Sequence, residues 1–251
     1  RTGRSRAIAL GTIGASRGVV RAKDLRVTLA PFQVALARAV DPTLPIGGTL
    51  TGKAVVSGST ASQLRISGDL VHNDVTGESH VTGSATVARG GRLPLVNADL
   101  QLLPLSLATA GRFAPAAGLR GTLTGPVSLK GPMSNLAVSA DLTTPDGGSV
   151  SARGTIDLVS APQAYDLSVT AHLFDASQIS SKGPKTSLSA DLAARGTGFQ
   201  PATLNATGEA HIRTSVYDSV AVDSAVVKLS AANGMLTVDT RSEERRVGKE
   251  C

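Results

Sequence analysis

Gly121-Thr122-Leu123-Thr124-Gly125-Pro126-Val127-Ser128-Leu129-Lys130-Gly131-Pro132-Met133-Ser134-Asn135-Leu136-Ala137-Val138-Ser139-Ala140-Asp141-Leu142 is the stretch that decides the fold. Two alternating runs flank the breaker Gly131-Pro132. In the first, Leu123, Gly125, Val127 and Leu129 share one side of an extended chain, and Thr122, Thr124, Ser128 and Lys130 share the other. In the second, Leu136, Val138, Ala140 and Leu142 oppose Ala137, Ser139 and Asp141. Period-two alternation puts successive side chains on opposite faces, so this is a pair of strands with one apolar and one wet face.

The pattern continues outward. Val150, Ala152, Gly154, Ile156 and Leu158 alternate with Ser151, Arg153, Thr155 and Asp157. Leu167 and Val169 alternate with Ser168 and Thr170, and Leu188 and Leu192 with Ser187, Ser189 and Asp191. Similar runs occur at 25–29, 50–56, 64–70, 204–212 and 216–229. Turn chemistry separates them at Ser57-Gly58-Ser59, Gly90-Gly91, Pro145-Asp146-Gly147-Gly148 and Asn233-Gly234. Strands of roughly 5–10 residues at this spacing predict an all-β, antiparallel chain. Only 31–40, 104–113 and 173–180 lack alternation, and these predict short helices or irregular caps.

The three caps expose an internal repeat. Asp24-Leu25-Arg26-Val27, Asp99-Leu100-Gln101-Leu102 and Asp166-Leu167-Ser168-Val169 each precede a cap. After it comes Gly48-Thr49-Leu50-Thr51-Gly52, its identical copy Gly121-Thr122-Leu123-Thr124-Gly125, or the weaker Thr186-Ser187-Leu188-Ser189-Ala190. Three diverged strand–strand–cap–strand copies fit, at about 24–98, 99–165 and 166–240.

Composition bounds the function. The chain has 251 residues, a net charge of +6, four Phe, two Tyr and no Trp. With few aromatic platforms for bases, the charge reads as solvated strand faces and not as a nucleic-acid site. The densest basic cluster is Arg1, Arg4, Arg6, Arg17, Arg21, Lys23 and Arg26. Residues 241–251 break every preceding pattern, carry seven charges in eleven positions and read as the in-frame translation of a sequencing-library adapter. Setting them aside removes the lone Cys251, and with it any thiol-based metal site or disulfide. That tail and the non-Met start make an internal fragment of a longer protein the expectation.

No constellation supports an enzyme. Gly47-Gly48-Thr49-Leu50-Thr51-Gly52-Lys53-Ala54 approaches a phosphate-binding loop, but Ala54 replaces the Mg²⁺-binding hydroxyl and a strand follows where a helix is required. A hairpin near Gly77 would gather His72, Asp74, Glu78 and His80 into a zinc-type set, although the spacing fits loosely and an exposed polar loop explains the same residues. No Gly-x-Ser-x-Gly elbow occurs. No cofactor or metal is expected.

The 121–142 unit, with Gly147-Gly148-Ser149-Val150, Gly154-Thr155-Ile156-Asp157-Leu158 and Tyr165-Asp166-Leu167-Ser168-Val169 after it, resembles the repeats of the TamB/AsmA-like superfamily over about residues 20–240. The resemblance implies a long antiparallel curled sheet, an open β-groove of "β-taco" type with an apolar interior and a few short helical caps. It implies a periplasmic segment of a parent anchored in the inner membrane, moving phospholipid toward the outer membrane or supporting outer-membrane protein assembly. The implied partners are phospholipid acyl chains, neighbouring repeats of the parent and the outer-membrane assembly machinery. On this reading Leu123, Val127, Leu136, Val138, Val150, Ile156, Leu167, Val169, Leu188 and Leu192 line the lipid groove. The competing expectation is a secreted or surface adhesin or passenger built from β-repeats with a closed, dry interior.

Overall fold

The computed structural model describes residues 5–39, 45–90, 93–113, 118–198, 203–232 and 234–242. Sixteen strands form one antiparallel sheet. The first repeat is preceded by β1 (Ala7–Ser16) and contains β2 (Val19–Gln33), β3 (Thr49–Ser59), β4 (Gln63–Asp74) and β5 (Gly77–Gly90). The second contains β6 (Leu93–Ser106), β7 (Thr122–Pro132), β8 (Leu136–Thr143) and β9 (Ser149–Asp157). In the third, β10 (Ala164–Phe174), β11 (Thr186–Thr197) and β12 (Asn205–Ile212) precede a small hairpin, β13 (Ser215–Tyr217) and β14 (Val220–Val222), and then β15 (Ala225–Ala232). The last strand is β16 (Met235–Ser242).

Each strand pairs with its sequence neighbour, and the ladder runs from β1 to β16 with only β13 and β14 off its path. The sheet is curled but does not close into a barrel. Both end strands keep a free edge among the described residues, and large apolar side chains stand exposed there: Leu10 at 67%, Ile13 at 63% and Met235 at 73%.

The repeat unit is four strands and a cap, one strand more than the sequence matches indicate. The three caps are Val34–Ala39, Leu107–Ala110 continued by Gly111–Phe113, and Ala176–Ile179, and they fall in the three non-alternating segments. Each follows a bulge in the strand before it. Four residues oppose three at Leu29–Phe32 against Gly52–Leu50, at Leu102–Leu105 against Gly125–Leu123, and at Ala171–Phe174 against Ala190–Leu188. A bulge bends its strand and ends regular pairing, which steers the chain out of the sheet and into the cap.

The cap-opening N–H then returns to the residue that restarts pairing. Val34 donates to Gly48 O and Leu107 to Gly121 O, both at 2.9 Å, and Ala176 donates to Thr186 Oγ1 at 2.9 Å. Those acceptors open the Gly-Thr-Leu-Thr-Gly copies and their weaker third version. The sequence repeat therefore marks the place where the chain re-enters the sheet.

All caps lie on one rim, where they alternate with tighter reversals. The opposite rim is made of hairpins. Successive caps are tied together: Arg120 N–H donates to Ile179 O at 3.0 Å and its Nε to Ser177 O at 2.7 Å.

Gly125 shows why particular residues are needed inside the sheet. Its φ is +139°, and a Cβ there would lie closer than 3.0 Å to the Asp141 carbonyl oxygen of β8. Only glycine permits both the dihedral and the approach. The same arrangement places Gly83 against Asp99 and Gly154 against Asp166. These carbonyls belong to the recurrent Asp-Leu pairs.

Candidate functional site

The ladder joins the alternating runs into one apolar face. Leu123 stands opposite Leu105, and Val127 lies between Leu100 and Ala140. Val138 lies between Leu129 and Gly154, and Leu136 faces Ile156, which meets Tyr165 on its other side. Val150 lies between Leu142 and Ala171, Leu167 between Gly154 and Ala194, and Val169 between Ala152 and Leu192. Leu192 continues to Ala210, and Leu188 pairs with Phe174 beyond the third bulge. All ten residues expected to line a groove thus share one face.

The face extends further than those ten. Leu64, Leu70, Val81 and Leu102 continue it toward β3, and Val227 and Leu229 continue it toward β16. Its side chains crowd one another: Ala98, Leu102, Leu136, Ala140, Ala171 and Ala190 are buried, while Asn97, Asp99 and Arg153 on the other face are exposed. No second layer covers either face among the described residues, so curling toward the apolar side accounts for this asymmetry. At the hairpin rim, Thr60, Leu64, Val87, Arg89, Leu93 and Pro94 border an open concavity of about 430 Å³. Burial also raises the Tyr165 phenol above its ordinary value of 10.0.

The wet face is laced by cross-strand polar pairs. Asp141 accepts from both Arg153 Nη2, at 3.0 Å, and Ser151 Oγ, at 2.6 Å. Asp99 accepts from Ser128 Oγ at 2.8 Å and lies 3.6 Å from Lys130 Nζ. Lys228 lies 3.7 Å from Glu209. Asp191 is held below the usual carboxylate range first by the Thr170 hydroxyl, with Arg213 adding to the effect against some desolvation. Opposite charges across a ladder favour the register that pairs them.

A network of polar groups enters the apolar side at the cap rim. There Asp74 of β4, its side chain 3% exposed, meets Arg112 of the second cap: Nη2 donates to Oδ1 at 3.0 Å, and Nη1 stands 2.9 Å from Oδ2. Ser106 caps the helical turn by accepting from Thr109 N–H at 3.4 Å and donates to Thr76 O at 3.2 Å. Thr76 and Thr109 hydroxyls lie 3.0 Å apart. In the third cap Asp175 plays the Ser106 part, accepting from Ser177 N–H at 2.9 Å and Thr186 N–H at 3.0 Å. Sequence reading missed this network because its members come from three separate segments. The available signal was the N-cap chemistry of Ser106 and Asp175, each inside a non-alternating stretch and just before its helical turn.

The zinc-type set is divided by the strand register. His72 pairs with Ser79 and His80 with Val71, on opposite faces of the β4–β5 hairpin. His72 is buried under the rim with Nε2 2.6 Å from Gly47 O, whereas His80 lies 2.7 Å from Asp69 on the wet side. Gly47-Gly48 leads directly into the strand β3 and not into a helix. His172 and His211 are both exposed, and His211 lies 2.9 Å from Glu209. Of the anomalous terminal segment, Arg241 and Ser242 pair with Val226 and Ala225; residues 243–251 lie outside the described residues, as do Gly91 and Asn233 of two expected turns.

The fold and the face together define a class: an open, single-layer, antiparallel repeat sheet, apolar on one side, polar on the other and capped along one rim. No protein-family model, no curated protein and no solved structure matches the chain.

Proposed function

We propose that this chain is a segment of a TamB/AsmA-like, periplasm-spanning envelope protein. Its apolar face carries phospholipid acyl chains between the inner and outer membranes, or supports outer-membrane protein assembly. One observation carries the reading: the apolar ladder is continuous across the fourteen strands of the path and nothing covers it among the described residues. At about 4.8 Å per strand the path is about 60 Å long. Apolar surface of this extent is costly in water, and each acyl methylene laid against it recovers about 0.8 kcal/mol. Val, Leu, Ala and Gly along the ladder leave room for flexible chains, and the polar face meets solvent. A secreted passenger with a dry interior would instead bury its apolar residues in a closed layer.

Photo-crosslinking tests the reading. Probes at Leu123, Val138 and Ile156 should capture phospholipid, whereas probes at Thr124, Ser139 and Thr155 should not. Equal capture from the two sets would eliminate the groove.

A further inference from the structure

The basic cluster near the start of the sequence becomes a surface once the strands are paired. Gly14, Thr12 and Leu10 of β1 face Arg21, Lys23 and Arg26 of β2, so these three cations point to the same side. They do so because the bulge at Asp24, with φ +48°, resets the alternation between Lys23 and Arg26. On the next strands Arg21 meets Ser59, Thr28 meets Lys53, and Ser57 meets Arg65. That side is the wet one.

Five exposed cations therefore share the wet face of β2–β4, none of them in an ion pair among the described residues, although Lys53 stands opposite Asp69 in the ladder. Asp24 and Asp69 are the exposed carboxylates of these strands, and Asp69 is already engaged by His80. Elsewhere on the wet face most cations have partners: Lys130, Arg153, Arg213 and Lys228 each lie within ion-pair distance of a carboxylate, and Arg195, without an ion pair among the described residues, stands opposite Asp166 in the ladder. The patch is also greasy. Ile8 and Leu10 of the edge strand sit beside Thr28 and Arg26, 38% and 67% exposed.

We propose that the wet face of β1–β4 docks on a bilayer surface rich in anionic lipid headgroups. Unpaired cations bring the face to the surface, and Ile8 and Leu10 enter the interface. Arg21 and Arg26 lie roughly 17 Å apart along β2, a spread that suits many mobile headgroups better than one small ligand. Nucleic acid fits less well, because no aromatic side chain occurs on β1 or on the wet face of β2–β4 to stack on bases. This surface lies opposite the apolar ladder, so it stands or falls independently of the groove.

Flotation with vesicles tests it on the full chain. Vesicles of equal parts phosphatidylcholine and phosphatidylglycerol should bind the chain more tightly than phosphatidylcholine alone, and high salt should remove the difference. The triple variant Arg21→Gln, Lys23→Gln, Arg26→Gln should weaken binding to the anionic vesicles by about 100-fold, about fivefold per charge. A second triple, Arg153→Gln, Arg213→Gln, Lys228→Gln, makes the same change in net charge on paired cations and should have far less effect. Circular dichroism checks that both variants keep their strand signal. Equal losses in the two triples, no preference for anionic vesicles, or displacement of vesicles by polyglutamate at equal charge would each overturn the proposal.

Discussion

Gly125→Ala is the sharpest test of how this sheet is built. Two separate costs arise at that position. The backbone sits at φ +139°, where an L-residue is strained by about 1–3 kcal/mol. The added Cβ also meets the carbonyl oxygen of Asp141 within 3.0 Å, with Leu142 Cα 3.2 Å away. Both atoms are backbone of a paired strand, so relief requires β8 to shift and disturbs its bonds to β7 and β9. Overpacking of that kind costs about 1–3 kcal/mol. The expected loss is about 2–6 kcal/mol in urea unfolding followed by far-ultraviolet circular dichroism. Gly14→Ala is the control, because a Cβ at Gly14 meets nothing within 4 Å. It should be neutral or stabilising by about 0.5 kcal/mol, through the unfolded chain. A Gly125→Ala chain within about 1 kcal/mol of the parent would refute the argument that the close Gly–Asp approach limits the sheet.

Two further outcomes follow from the cap rim. Arg112→Met leaves the buried Asp74 carboxylate without its cation and should cost about 2–3 kcal/mol, below the usual figure for a buried pair because Arg112 is partly solvated; adding Asp74→Leu should recover much of the loss, measured by thermal unfolding. Burial tends to raise the Asp175 carboxyl, but hydrogen bonds from Thr186 and Ser177 outweigh it and hold the group below its ordinary 3.8. A lowered folded-state pKa means that the ionised cap is stabilising above 3.8 and that this contribution disappears as pH falls through the lower folded value. Amide exchange at Ser177 and Thr186 should therefore accelerate over that acid range beyond the general chemical trend, and Asp175→Asn should abolish the extra acceleration.

Much of the architecture was legible because period-two alternation survives wherever a strand is regular. Gly121–Leu129 and Leu136–Leu142 carry their whole face assignment in the residue types, and the ladder only confirms it. Sequence reading failed where a bulge or a turn resets the phase. In β2 the apolar positions are Ala22 before Asp24 and Leu25, Val27 and Leu29 after it, so a fifteen-residue strand looks like a five-residue one. The run at 216–229 looks continuous, yet reversals at Asp218-Ser219 and Asp223-Ser224 divide it into β13, β14 and β15. The apolar lining could be read from local pattern. The buried Asp74–Arg112 contact could not, because it joins residues 38 apart through the geometry of a cap.

A bulge and cap at every fourth strand make this molecule a ruler. Each period advances the sheet by about 19 Å, and the bonds of a cap reach no further than the next strand, the adjacent reversal on the same rim or the adjacent cap. Length can therefore be altered by whole multiples of the period without re-engineering anything distant, whereas gaining or losing a single strand would put every later cap on the wrong rim.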